Sequence, residues 1–89
     1  MTWKVEYLTS FKKDVQKLDP QIQRRIRDFL EKRVLALDNP RAIGETLKGA
    51  KLGDYWKYRV GDYRIICDIQ DHTLTILALM VGNRCEVYR

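Results

Sequence analysis

Apolar and polar residues alternate from the start of the chain. Trp3, Val5 and Tyr7 fall on one side of an extended segment and Lys4 and Glu6 on the other, the period-two pattern of a strand over Met1 to Leu8. The period then lengthens. Phe11, Val15 and Leu18 recur at i, i+4 and i+7, which predicts a short helix capped by Thr9 or Ser10. Asp19-Pro20 breaks that helix and restarts it, with Asp19 as N-cap and Pro20 at the first helical position, where its missing amide hydrogen costs nothing. The second helix carries the apolar stripe Ile22, Ile26, Phe29, Leu30, Val34 and Leu37 and ends at Asn39-Pro40. Residues 9–38 therefore read as a helical hairpin laid on a sheet.

From Arg41 to Asp54 the periodicity is lost and Gly44, Gly49 and Gly53 appear, as in a surface connection with Leu47 anchored beneath it. Strand patterns then follow closely. Gly61-Asp62 reads as a two-residue hairpin loop between β-branched and aromatic residues. That turn places Val60 opposite Tyr63, Arg59 opposite Arg64, Tyr58 opposite Ile65, Lys57 opposite Ile66 and Trp56 opposite Cys67. Asp71-His72 reads as a further turn, and residues 74–81 are almost continuously apolar, as in a central strand covered on both sides. If this turn also has two residues, Leu74, Ile76, Ala78 and Met80 face the core, and Thr75, Leu77 and Leu79 share the face of Arg64. The predicted class is α+β: an N-terminal strand, a helical hairpin, then a three-strand antiparallel meander in one sheet.

Composition narrows this picture. Eighty-nine residues suffice for one domain, residues 1–89, with a single modest core that buries roughly 60 to 65% of the unfolded surface. No apolar run approaches a membrane span, and the N-terminus lacks the pattern of a signal peptide, so a cytoplasmic protein is expected. Cys67 and Cys85 have no metal-ligand or redox spacing, and with one histidine in the chain neither a metal site nor a cofactor is expected. The net charge of +5 favours a polyanionic partner such as nucleic acid.

The hairpin gives that charge a location. Trp56, Tyr58, Val60, Tyr63, Ile65 and Cys67 share one face and make core. Lys57, Arg59 and Arg64 share the other. Lys57 and Arg59 alone fit the solvated side of an antiparallel strand equally well. Arg64 adds weight to a site, because like charges opposed across a sheet are unfavourable unless something anionic joins them. Lys57 is the candidate base of such a site, since neighbouring arginines disfavour its charged form. His72 reads as a solvated turn residue outside the cluster. Arg24, Arg25, Arg27, Lys32 and Arg33 lie on the outer side of the long helix, a solubilising face or a footing on the phosphates of a nucleic acid.

Leu47-Lys48-Gly49 before the sheet, the basic strand ending in Gly61-Asp62-Tyr63-Arg64, and Val81-Gly82-Asn83-Arg84 followed by Val87-Tyr88 occur in order on the predicted elements. In this the chain resembles, over nearly its whole length, the RelE group of bacterial toxins within the RelE/ParE superfamily of toxin-antitoxin systems. The resemblance implies a RelE-like microbial ribonuclease fold and a metal-independent endoribonuclease that enters the ribosomal A site and cuts messenger RNA, so inhibiting translation. In that reaction the RNA's own 2′-hydroxyl attacks the adjacent phosphate, leaving a 2′,3′-cyclic phosphate and a 5′-hydroxyl.

By the same resemblance Lys57, Arg64, Arg84 and Tyr88 are the catalytic candidates, and Arg59, Lys48 and Lys51 contact RNA. The implied partners are a cognate antitoxin, the 70S ribosome with its messenger, and ribosomal RNA met through the basic surface. Three departures from the best-known members stand out. Only three residues separate Arg84 from Tyr88, Tyr55 or Trp56 stands where those members have a further lysine, and nothing here matches their C-terminal helix. The ParE branch of the superfamily implies a different mode, noncatalytic binding of a protein target such as DNA gyrase.

Overall fold

In the computed structural model, which describes residues 2–46 and 55–83, the N-terminal alternation forms strand β1 (Lys4–Tyr7). Helix α1 (Thr9–Gln16) follows directly. Its N-cap is Leu8, and neither expected cap residue serves as one. Ser10 lies in the first turn and donates its hydroxyl to the Leu79 carbonyl at 2.6 Å, tying the helix to the sheet. Helix α2 (Pro20–Asp28) starts as predicted, with Asp19 at the N-cap and Pro20 at its first position.

The end of the second helix differs from its sequence reading. Phe29–Val34 is π-helical, and the wider turn shifts the apolar stripe, so that Leu35 packs against the core where Leu37 was expected. Pro40–Ala42 makes one 3-10 turn, capped by the Asn39 side chain accepting from the Arg41 amide at 3.0 Å. After it comes a two-residue strand, β2 (Glu45–Thr46), in the stretch expected to be a plain connection. The sheet therefore has five strands, in the order β1-β5-β4-β3-β2, with β3 Trp56–Val60, β4 Tyr63–Gln70 and β5 Thr75–Asn83.

The β3–β4 hairpin has the register that its turn predicts: Arg59 faces Arg64 and Trp56 faces Cys67, with Gly61 at φ +59° in the loop. The next register does not follow its expectation throughout. Asp71–Thr73 forms a 3-10 turn closed by Leu74 in the left-handed region at φ +49°, and an irregularity between Ile66 and Cys67 leaves Leu79 without an opposite residue. Ile76 and Ala78 face the helices as expected. Beyond the irregularity the alternation inverts, so Val81 enters the core, and Met80, expected in the core, is 41% exposed beside Ile66. β5 is an interior strand, between parallel β1 and antiparallel β4. Its face away from the helices is covered only in part, with Thr75 buried, Leu77 half-buried and Met80 exposed.

The helices cover one face of the sheet. Phe11, Ile26, Leu30 and Val34 meet Tyr58, Val60, Ile65, Cys67, Ile76, Ala78 and Val81 in a single cluster. Burying each larger side chain contributes about 1.5–3 kcal/mol. Burial raises the Cys67 thiol far above its ordinary value, which keeps it neutral and unreactive as a core filler. Among the described residues no helix is long and apolar enough to cross a membrane.

Candidate functional site

The sheet face turned away from the helices carries the cations of the hairpin. Strand alternation brings Lys57, Arg59 and Arg64 to that side, and together with Gly44 and Glu45 they line one cleft of about 210 Å³. The three cationic residues expected at the site and lying among the described residues thus meet in one place. A groove between the helices, lined by Phe11, Val15 and Ile26 among others, has no comparable group of converging cations. His72 is exposed in the turn at Asp71–Thr73 and does not line the cleft.

Arg64 is 5% exposed. Its Nη1 donates to the Tyr63 carbonyl at 3.2 Å and to the Gly61 carbonyl at 3.5 Å, which braces the guanidinium against the hairpin tip. A guanidinium has five N–H donors, and these two carbonyls engage one of its nitrogens. Among the described residues no carboxylate lies within ion-pair distance of Arg59 or Arg64. A buried, braced cation with donors to spare has the character of a preorganised anion site.

Lys57 is held differently. Its side chain is 14% exposed, and Nζ lies 3.2 Å from Oε1 of Glu45, which is 63% exposed on the edge strand. The pair forms across the β2–β3 ladder, where Glu45 stands opposite Lys57. The pair sets the Glu45 carboxylate, a group able to accept a proton, beside the amine in the cleft. Glu45 was missed in the sequence. The only signal for it is an acid beside a glycine in an aperiodic stretch, and two residues are too few to display a strand pattern.

The position of Glu45 is set by β3. The Trp56 indole donates to the Ile43 carbonyl at 2.8 Å, and the Tyr58 hydroxyl to that of Pro40. Directly after Ile43, the second anchor along the chain, Gly44 adopts φ +84°, where a side chain would be strained. A Cβ there would fall 2.5 Å from the Lys57 carbonyl oxygen and 2.6 Å from Trp56 Nε1. The core face of β3 thus fixes the wall of a cleft on its other side. Burial pushes the Tyr58 phenol well above its usual range, so it remains a hydrogen-bond donor. Lys48, Lys51, Arg84 and Tyr88 lie outside the described residues.

A model of the ParE toxin of type II toxin-antitoxin systems, parDE, matches residues 5–88. The chain belongs to the RelE/ParE superfamily of type II toxins. It is 28% identical over 89 residues to toxin RelG of Mycobacterium tuberculosis, covering 100% of this chain and 99% of that protein. A RelE-like toxin protein of Escherichia coli is 31% identical over 84 residues, 94% of this chain and 85% of that one. Among solved structures, a chain of the toxin-antitoxin complex RelBE2 from Mycobacterium tuberculosis superimposes with a TM-score of 0.83 at 26% identity, over 94% of this chain and 93% of that one. The α+β fold of this toxin is therefore that of the RelE structures, with the short edge strand β2 added to the strands read from the sequence.

Proposed function

We propose that this toxin is an endoribonuclease that cuts messenger RNA in the ribosomal A site and thereby stops translation. The observation that carries this reading is the convergence of Lys57, Arg59 and Arg64 on one cleft on the sheet face opposite the helices. The scissile phosphate would sit against Arg64, whose braced guanidinium meets the negative charge that builds on the phosphorane. Fixed donors of this kind are each worth about 10²–10³ in rate. Glu45 takes the proton of the attacking 2′-hydroxyl, and Lys57, already paired with it, balances the charge. The 2′-oxygen bonds to phosphorus as the P–O5′ bond breaks, and the departing 5′-oxygen takes a proton from water, giving the cyclic phosphate and a free 5′-hydroxyl. Arg84 as charge stabiliser and Tyr88 complete the expected set, with Arg59, Lys48 and Lys51 contacting RNA. The reading needs no metal or cofactor.

The cytoplasm follows as its place of action. A cognate antitoxin is its partner, a reading supported by relatives solved as RelB–RelE complexes from Mycobacterium tuberculosis and Methanococcus jannaschii. An acidic antitoxin segment that folds over the basic cleft would block it.

Primer extension on a defined messenger, with and without ribosomes carrying an empty A site, tests the enzyme. Cuts that require ribosomes and fall within A-site codons are the expected result. Toxicity without cleavage would favour a second reading, noncatalytic binding of a protein target such as DNA gyrase. Its specific support is that the matching family model describes ParE toxins.

A further inference from the structure

The tip of the β3–β4 hairpin lies between two arginines. On the cleft side, Arg64 Nη1 donates to the Gly61 and Tyr63 carbonyls. From α2, the exposed Arg25 brings its guanidinium onto the same turn, with Nη2 3.6 Å and Nη1 3.8 Å from where a Cβ on Gly61 would stand. Gly61 at φ +59° offers only backbone there. Two cations drawn to one residue repel each other, and among the described residues neither is offset by an ion pair. Asp62, the other turn residue, is exposed and pairs with neither. On the same helical stretch Asp28 and Glu31 are engaged elsewhere, Asp28 with Lys32 at 3.5 Å and Glu31 with the Tyr7 hydroxyl.

We propose that Arg25 and the hairpin tip form a second phosphate subsite, which takes the backbone phosphate adjoining the one held in the cleft. Single-stranded RNA then lies across the β3–β4 turn, from Arg59 and Arg64 to the outer face of α2. The subsite rests on the endoribonuclease reading and extends it, because it states which way the strand leaves the cleft. It also separates two functions. Arg64 meets the reacting phosphate, whereas Arg25 holds a spectator phosphate and contributes to binding alone.

The test compares two uncleavable probes carrying 2′-deoxy sugars, a dinucleotide with one phosphate and a trinucleotide with two, by fluorescence anisotropy at low salt. Wild type, R25A, R25E and R64A are measured together. The subsite predicts that R25A weakens trinucleotide binding about tenfold, the value of one charge-assisted contact, and leaves the dinucleotide unchanged. R25E weakens the trinucleotide further. The salt dependence of trinucleotide binding falls by about 0.7 in log–log slope in R25A, as one phosphate contact on a single strand requires. R64A weakens both probes. Equal binding of the trinucleotide by wild type and R25A overturns the subsite, as does an equal loss on both probes. Either result leaves the endoribonuclease reading standing if wild type still cleaves on ribosomes. No RNA binding by wild type, together with no ribosomal cleavage, removes both.

Discussion

The two faces of the β3–β4 hairpin share strands, register and turn, yet they do different work. On the helix side Tyr58, Val60, Ile65 and Cys67 are buried in one apolar cluster. On the other side Arg59 faces Arg64 directly, an arrangement that costs stability in a sheet, and Lys57 is neutralised by an acid from an edge strand. A period of two is enough to place a folding surface and a charge-bearing surface one residue apart. Substitutions on adjacent positions should therefore report on different properties.

Tyr58→Ala is expected to have the largest effect on the first face. It removes a fully buried ring that stacks edge-on against Phe29 at 5.7 Å and anchors the Pro40 carbonyl. The expected cost is about 3–5 kcal/mol in urea unfolding, and activity should fall in step with the folded fraction. A smaller loss would show that the core is less concentrated on β3 than its burial indicates.

Arg64→Ala should do the reverse. Ribosomal cleavage is expected to drop about 10²–10³-fold, while the unfolding free energy changes by about 1 kcal/mol, the worth of its bonds to the turn carbonyls. If stability collapsed and the folded remainder kept its rate, the contrast between the faces would be broken. Glu45→Gln sharpens it further. Losing the proton acceptor should slow cleavage about 10²-fold, while the unfolding free energy changes little because the carboxylate is exposed. A variant that kept the wild-type rate would return the base role to Lys57.

The smallest effect is expected at Asp71→Asn, away from both faces. Two hydrogen bonds of 3.0 Å from Arg41 hold the Asp71 carboxyl below its usual range. The stability this confers is fully present above the ordinary carboxylate pKa and is lost as pH falls through the lowered folded value. The carboxylate is exposed, so acid unfolding of the variant should differ only slightly, and chiefly at the acid end of the transition.

The hairpin was legible because Gly61-Asp62 permits one tight register, and that register sorts every residue from Trp56 to Cys67. The β4–β5 register was legible only as far as the irregularity at Leu79. Nothing in an unbroken apolar run marks where a residue is skipped, so Met80 was assigned to the wrong face. The π-helical turn at Phe29 was hidden for a similar reason, since the stripe reads as a regular helix until Leu35 replaces Leu37 in the core. In the candidate site the cations could be read from alternation alone. Glu45 could not, because its role comes from pairing across strands distant in sequence, fixed by a glycine pressed against Trp56 and Tyr58.

The pairing of β1 with β5 bears on how the molecule comes into being. The first strand finds its ladder partner only in the segment Thr75–Asn83, and the Asp14 carboxylate of α1 accepts from the Val81 amide across the same gap. Contacts between chain segments so far apart are closed late and slowly during folding. A nascent chain still lacking β5 has no place to dock its first strand, so the sheet that carries the basic cleft should close only after Thr75–Asn83 has been made. The charged face of the hairpin would then rest on a finished sheet only once its interior partner strand is available.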